Sequence, residues 1–215
     1  MVFESVKKGL VVLFLTLISL SGYSQMCSGF SAYNFNSSFY AGAFVGPNVF
    51  VGDGFGSYKF NGSLGLTQNI FIGYDFSEVL GARVLFGNSS LNWPNPDPIP
   101  TLLGKQSFST QQFSVEVLYN LSNYLSYYNL HRPYDISIFA GTGLIVREKS
   151  KFDSEYTGFL IKGGLQFDYR LSFQLDLNLN ATLNVMPEKV DGVVSGEPFN
   201  MIPELKVGVT YHIRQ

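Results

Sequence analysis

Few side chains in this chain of 215 residues could do chemistry near neutral pH. Its two histidines, His131 and His212, are the candidate general bases, and it has one cysteine, Cys27. A general base must lie within hydrogen-bond reach of its nucleophile. Here one histidine falls in a long turn and the other three residues from the C-terminus, with no motif tying either to a serine or to Cys27. Residues so scattered make no metal-ligand cluster, and a lone cysteine allows no intramolecular disulfide. Asp153 and Glu155 could lend oxygens to a calcium ion, but without further ligands they read as an ordinary hydrated loop. Gly52-Asp53-Gly54-Phe55-Gly56 has the glycine content of a phosphate-cradling loop. It lacks the following Lys-Ser/Thr and opens no helix, so a flexible turn is the expectation. The chemistry-bearing residues point to no enzyme, no cofactor and no metal.

The elements that would position such residues are strands. Leu171–Val185, LSFQLDLNLNATLNV, alternates apolar and polar residues without a break over 15 positions. Period-2 alternation marks a strand with one oily and one wet face. The segment also exceeds the ~9–11 residues a tilted strand needs to cross a bilayer. Seven further segments alternate or nearly so: Phe39–Asp53, Gln68–Phe76, Val79–Asn88, Gln111–Leu121, Tyr134–Arg147, Tyr156–Arg170 and Pro203–Ile213. The first is the weakest, broken by Gly42, Gly46 and Pro47. No apolar block reaches the ~20 residues of a spanning helix, but a closed barrel also satisfies its backbone hydrogen bonds internally.

The N-terminus has the parts of a secretory signal peptide: Lys7 and Lys8, an apolar run Leu10–Leu20, then Ser19, Ser21, Gly22 and Ser24. Cleavage after Ser24 leaves residues 25–36 as a short N-terminal segment and 37–213 as one barrel domain. A retained anchor is the rival reading, disfavoured by the shortness of the run. Met26 directly before Cys27 is not the small residue a lipoprotein signal wants, so Cys27 is expected to stay unmodified. Loss of Lys7, Lys8 and Glu4 with the leader takes the 14 basic and 16 acidic residues to 12 and 15, a net charge of −3. No basic stripe suggests a nucleic-acid partner.

Short connections at Ser77-Glu78 and Arg170–Ser172 alternate with long ones at Gly54–Thr67, Ser89–Thr110, Glu148–Glu155 and Met186–Ile202. Bacterial barrels place short turns in the periplasm, and an even strand count returns both termini there. The turn Ser122–Pro133 is long, and LSNYLSYYNLH within it suits a short amphipathic helix. Alternation points Arg83, Arg147, Lys162, Arg170 and Lys206 inward, opposite Asp75, Glu116, Asp135, Asp168, Asp176 and Glu204. Near-balance of charge is what an enclosed core requires, because unpaired buried charge is costly. An eight-stranded barrel is just wide enough for side chains to fill it, so a plugged interior is expected. Tyr74, Phe76, Tyr119, Tyr124, Tyr127, Tyr128, Tyr134, Tyr169 and Tyr211 cluster at the short-turn end as an interfacial girdle would.

One outer loop stands out. Leu91–Pro100, LNWPNPDPIP, holds the only tryptophan, Trp93, and prolines at 94, 96, 98 and 100. Pro94, Pro96 and Pro98 would stiffen the backbone so that it loses little entropy on docking a surface protein or glycan. Packing of Trp93 on the barrel rim is the plainer reading.

The last strand, KVGVTYHI, resembles the assembly signal of outer-membrane proteins, with Lys206, Gly208, Tyr211 and Ile213 at that family's spacing; Arg214 and Gln215 extend past it. Val115–Ile145, VEVLYNLSNYLSYYNLHRPYDISIFAGTGLI, resembles the OmpA-like barrels of Bacteroidetes-type bacteria, and a leader ending in Tyr-Ser-Gln fits the same lineage. The resemblance implies an all-β, eight-stranded antiparallel transmembrane barrel closer to the OmpX-like members, without the peptidoglycan-binding domain of the larger ones. It implies residence in a Gram-negative outer membrane as a monomer, with lipid and the barrel-assembly machinery as partners. Function is expected to be structural or interactive. A narrow pore is the alternative, followed by a lipid A-modifying enzyme. The latter would need its histidine at the outer edge, whereas both fall at the periplasmic end. A secreted lipocalin-like carrier would reverse the two faces.

Overall fold

The computed structural model describes residues 35–51, 64–93, 106–126, 129, 132–147, 156–187 and 199–213. They form eight strands: β1 Ser38–Val49, β2 Leu64–Asp75, β3 Leu80–Trp93, β4 Gln106–Asn120, β5 Tyr134–Arg147, β6 Tyr156–Arg170, β7 Leu175–Pro187 and β8 Phe199–Ile213. One short helix, α1, spans Leu121–Ser126. Each strand pairs antiparallel with the next, and β8 returns to β1 to close the barrel. Closure leaves no sheet edge with unpaired backbone groups.

The register fixes the geometry. A row of paired residues runs Ala41, Ile72, Val84, Val115, Thr142, Ile161, Val185, Met201 and returns to Val51. It comes back ten residues along β1 from Ala41 to Val51, so the shear is ten. With eight strands, a rise of ~3.3 Å per residue and a spacing of ~4.8 Å, the strands tilt by about 41°.

Outward positions are apolar along most of every strand: Phe39 to Val45, Ile70 to Tyr74, Val84 and Phe86, Phe113 to Tyr119, and Met201 to Ile213. No outward position of any described strand carries Asp, Glu, Lys, Arg or His. The inside holds Arg83, Glu116, Lys162, Glu204 and Lys206, all buried. That is the reverse of a water-soluble carrier, and it removes the lipocalin-like alternative.

Strand ends differ from the alternation. β2, β3, β4 and β8 begin or end closer to the long loops than the expected limits of Gln68, Asn88, Gln111 and Pro203. Near that end the outward residues of β3 and β4, such as Asn88, Ser90, Ser109 and Gln111, are polar. The hydrophobic signal fades there while the ladder of Asn88–Trp93 with Gln106–Gln111 continues. β7 starts at Leu175, not Leu171: residues 171–174 make the turn, with Leu171 and Ser172 N–H donating to Leu175 O at 2.9 and 3.0 Å. β1 ends at Val49 rather than Asp53, and Val51 keeps an isolated bridge to Met201. Its pairing with β8 skips Gly46 and Pro47, because proline has no N–H to give.

The turns at 76–79 and 171–174 and the β4–β5 connection share one end of the barrel. Residues 52–63, 94–105, 148–155 and 188–198 connect strands at the other end and lie outside the described residues. Asn120 caps α1, its Oδ1 accepting the Asn123 N–H at 2.8 Å.

Candidate functional site

Alternation sends many Asp, Glu, Lys and Arg side chains, with His212, into a space about one side chain deep, so the interior is the candidate site. It is built in layers along the barrel axis.

At the turn end lies a cavity of about 220 Å³, walled by Tyr40, Asp75, Asp135, Asp168, Arg170, Asp176 and His212 among others. His212 Nε2 lies 2.8 Å from Asp176 Oδ2, and its ring packs against Tyr40. Arg170 spans Asp135 at 3.3 Å and Asp176 at 3.9 Å. Arg132, in the β4–β5 connection, holds the other oxygen of Asp135 at 3.3 Å. Asp168 is held by amides: its Oδ1 accepts from Gln166 Nε2 at 2.8 Å and from Asn178 Nδ2.

The next layer centres on Arg83. Its Nε and Nη2 both donate to Glu116 Oε2 at 2.7 Å, and its Nη1 donates to Gln166. Three rings surround the guanidinium, those of Phe44, Phe71 and Phe139, at 5.0–5.3 Å from it. Lys162 Nζ reaches the other Glu116 oxygen at 3.2 Å and Ser114 Oγ at 3.3 Å. It does so across β5, where the row Glu116–Gly141–Lys162 places a glycine between the two. A Cβ at Gly141 would stand 2.7 Å from Glu116 Cγ, so only glycine leaves the carboxylate room to bridge both cations.

Above this, Lys206 Nζ pairs with Glu204 Oε2 at 2.6 Å, and Thr67 donates to Glu204 Oε1 at 3.2 Å. Thr67 also joins Asn48 at 2.7 Å and Ser89 at 2.9 Å, and Gln112 donates to Ser89 at 3.3 Å. Toward the loop end lies an apolar layer: Phe50, Leu91, Ile145, Leu160, Met186 and Ile202, each at most 2 % exposed.

Of the residues singled out by charge alternation, Arg83, Glu116 and Lys162 meet in one cluster and Glu204 and Lys206 in a pair. Arg170 and Asp176 meet at the turn-end cavity, whose wall Asp168 also lines. Arg147 lies at a different height. It is buried one inward step beyond Ile145, on the loop side of the apolar layer. The expected polar and charged filling is therefore incomplete: an apolar layer and the group Tyr40, Phe44, Phe71 and Leu85 share the interior. Their signal was present, since Leu85 and Phe71 have the parity of Arg83 and Asn69, but they are too few per strand to interrupt a polar face.

Gly208 sits on β8 beside Phe44 of β1, while Tyr211 and Ile213 face outward near the turn end. Trp93 ends β3, paired with Gln106. Pro94, Pro96, Pro98, Cys27, His131, Asp153, Glu155, residues 52–56 and the leader 1–24 lie outside the described residues. Of the girdle tyrosines, Tyr134, Tyr169 and Tyr211 are exposed at the turn end, and Tyr127 and Tyr128 lie outside the described residues. Among the described residues, no group of His, Cys, Asp and Glu could hold a metal ion.

No family model matches the chain, and no curated protein matches it. Among solved structures, it is similar to Neisserial surface protein A, with a TM-score of 0.54 and 15 % identity over 82 % of this chain and 99 % of that one. The outer membrane protein OprG from Pseudomonas aeruginosa gives 0.51 and 13 %, over 85 % and 98 %. A major outer membrane protein from Thermus thermophilus gives 0.50 and 14 %, over 83 % and 100 %. The fold is that of small outer-membrane β-barrels. At such identities the likeness carries the architecture and no activity, since one fold hosts many functions.

Proposed function

We propose that this chain is a monomeric, non-enzymatic barrel of a Gram-negative outer membrane, OmpA/OmpX-like in kind, with a structural or surface-contact role. The uncharged outward face supports a lipid environment, and the alternation of short turns with long loops supports periplasmic termini. Lys206, Gly208, Tyr211 and Ile213 would present the final strand to the assembly machinery. The loop carrying Trp93, Pro94, Pro96 and Pro98 would meet a surface protein or glycan. No cofactor enters this reading.

What supports it is the filling of the interior by two successive packed layers. A solute entering from the turn end meets Arg83 locked between Glu116, Gln166 and three rings, and beyond it the apolar layer of Phe50, Leu91, Ile145, Leu160, Met186 and Ile202. The rival reading, a narrow solute pore, needs both layers to open together. Reconstitution into planar bilayers of phosphatidylethanolamine and phosphatidylglycerol tests this. The expected record is a flat baseline from protein that migrates as a folded, heat-shiftable band. Discrete current steps that grow with salt concentration would establish the pore instead.

A further inference from the structure

Helix α1 is turned the wrong way round for a water-soluble surface. Two of its three polar side chains are half-buried against the barrel: Asn123 Nδ2 donates to Glu78 O at 2.7 Å, and Ser122 Oγ accepts the Ile136 N–H at 2.9 Å. Ser126 is exposed, yet its Oγ accepts from Arg132 at 2.9 Å, and that arginine is in turn anchored on Asp135. Leu121 is half-buried, but the helix's other two large apolar side chains are left outside, Tyr124 at 64 % and Leu125 at 77 % exposed. A helix on a protein in water puts leucine inward and serine and asparagine outward. The inversion repeats, at one rim, what the strands do along the whole barrel.

The exposed face is continuous with the apolar belt. The Tyr124 ring lies 5.5 Å from that of Tyr119, which shares the outward parity of Phe113 and Val115. Ile136, tied to Ser122, is itself outward and exposed, as is Tyr134 beside it. Tyrosine and leucine at the edge of an apolar belt suit the boundary between headgroups and acyl chains.

We infer that α1 is a membrane foot: the β4–β5 connection seats Tyr124 and Leu125 in the headgroup layer of the phospholipid leaflet at the turn end. This rests on the membrane reading above. It adds a lipid contact outside the strands, held by the Asn123, Ser122 and Arg132 bonds.

The chain's single tryptophan makes a reporter experiment simple. In a Trp93→Phe background, Leu125→Trp is compared with Leu179→Trp, a belt position. Each protein is folded into phosphatidylcholine vesicles whose acyl chains are brominated either near the headgroup or near the chain end. The expected result is blue-shifted emission from both, with Leu125→Trp quenched mainly by the shallow bromines and Leu179→Trp by the deep ones. Water-like, unquenched emission from Leu125→Trp while Leu179→Trp is quenched would overturn the foot and leave the membrane barrel standing. No quenching of either reporter in heat-shiftable protein would overturn both. If Leu125→Trp fails to fold, Tyr124→Trp gives the same readings.

Discussion

Replacing Glu116 by glutamine isolates the electrostatic part of the central seal. The carboxylate is 1 % exposed and serves two cations, Arg83 at 2.7 Å and Lys162 at 3.2 Å. Glutamine keeps the shape and removes the charge, leaving two buried positive charges side by side. At a separation of ~4 Å and an effective dielectric of ~20, each ion pair is worth about 4 kcal/mol before desolvation. Removing one partner of a buried pair typically costs ~3–5 kcal/mol, because the remaining charge stays desolvated. Arg83 would still have the Gln166 carbonyl and three rings, contacts worth ~0.5–2 kcal/mol each. Lys162 would keep only the neutral Ser114 hydroxyl among the described residues, so the loss falls mainly there.

The expected destabilisation of Glu116→Gln is therefore about 3–5 kcal/mol. Adding Lys162→Met removes the orphaned cation and should recover roughly 1–3 kcal/mol, a coupling that independent sites do not show. Both are read from urea titrations of protein folded in phospholipid vesicles, scored by the fraction that runs as the compact band without heating. A Glu116→Gln protein within ~1 kcal/mol of the parent would refute the reasoning, as would a double variant whose loss is the plain sum of the singles.

Two further substitutions test closure and the lipid face. Gly208→Ala puts a Cβ 2.2 Å from Ala43 O and 2.4 Å from the Phe44 ring, at the β8–β1 seam. It should cost ~1–3 kcal/mol in the same titration, while outward Gly163→Ala, whose Cβ meets only Phe139 O at 3.5 Å, should be neutral or slightly stabilising. Leu179→Arg, mid-strand on the outward face of β7, should lose ~2–4 kcal/mol in vesicles, and Thr157→Arg, near the loop end of β6, no more than ~1 kcal/mol. Equal losses at those two positions would mean the outward face meets no depth-dependent apolar layer.

Alternation made the strands, their number and their two faces legible, because a period of two needs no knowledge of partners. It failed where the partner decides. Leu171–Gln174 continues the pattern of β7, yet hydrogen bonds to Leu175 O bend it into a turn. The outer ends of β3 and β4 lose the pattern, yet their mutual ladder keeps them extended. The interior was half legible for the same reason. Parity identifies Arg83, Glu116, Lys162 and Arg147 as inward, but height along the axis depends on register and shear, which exist only once the barrel closes. Glu116 reaches Lys162 because Gly141 lies between them in the row, and no local pattern announces that gap.

Shear also explains why one inward set became separate compartments. A tilt of about 41° raises each successive strand's paired residue toward the loop end, so side chains far apart in register share a level. Phe50 just past β1, Leu91 on β3, Ile145 on β5, Leu160 on β6, Met186 on β7 and Ile202 on β8 are brought into one disc in this way. The disc separates Arg147 from every other inward charge named above. A barrel evolved to pass ions would gain from the opposite arrangement, with its charges strung along one continuous wet path. Here the cavity is confined to the turn end, and the next layer along the axis holds an arginine gripped by carboxylate, amide and three rings. On the proposed reading, contact with the outside falls to the loops above the disc.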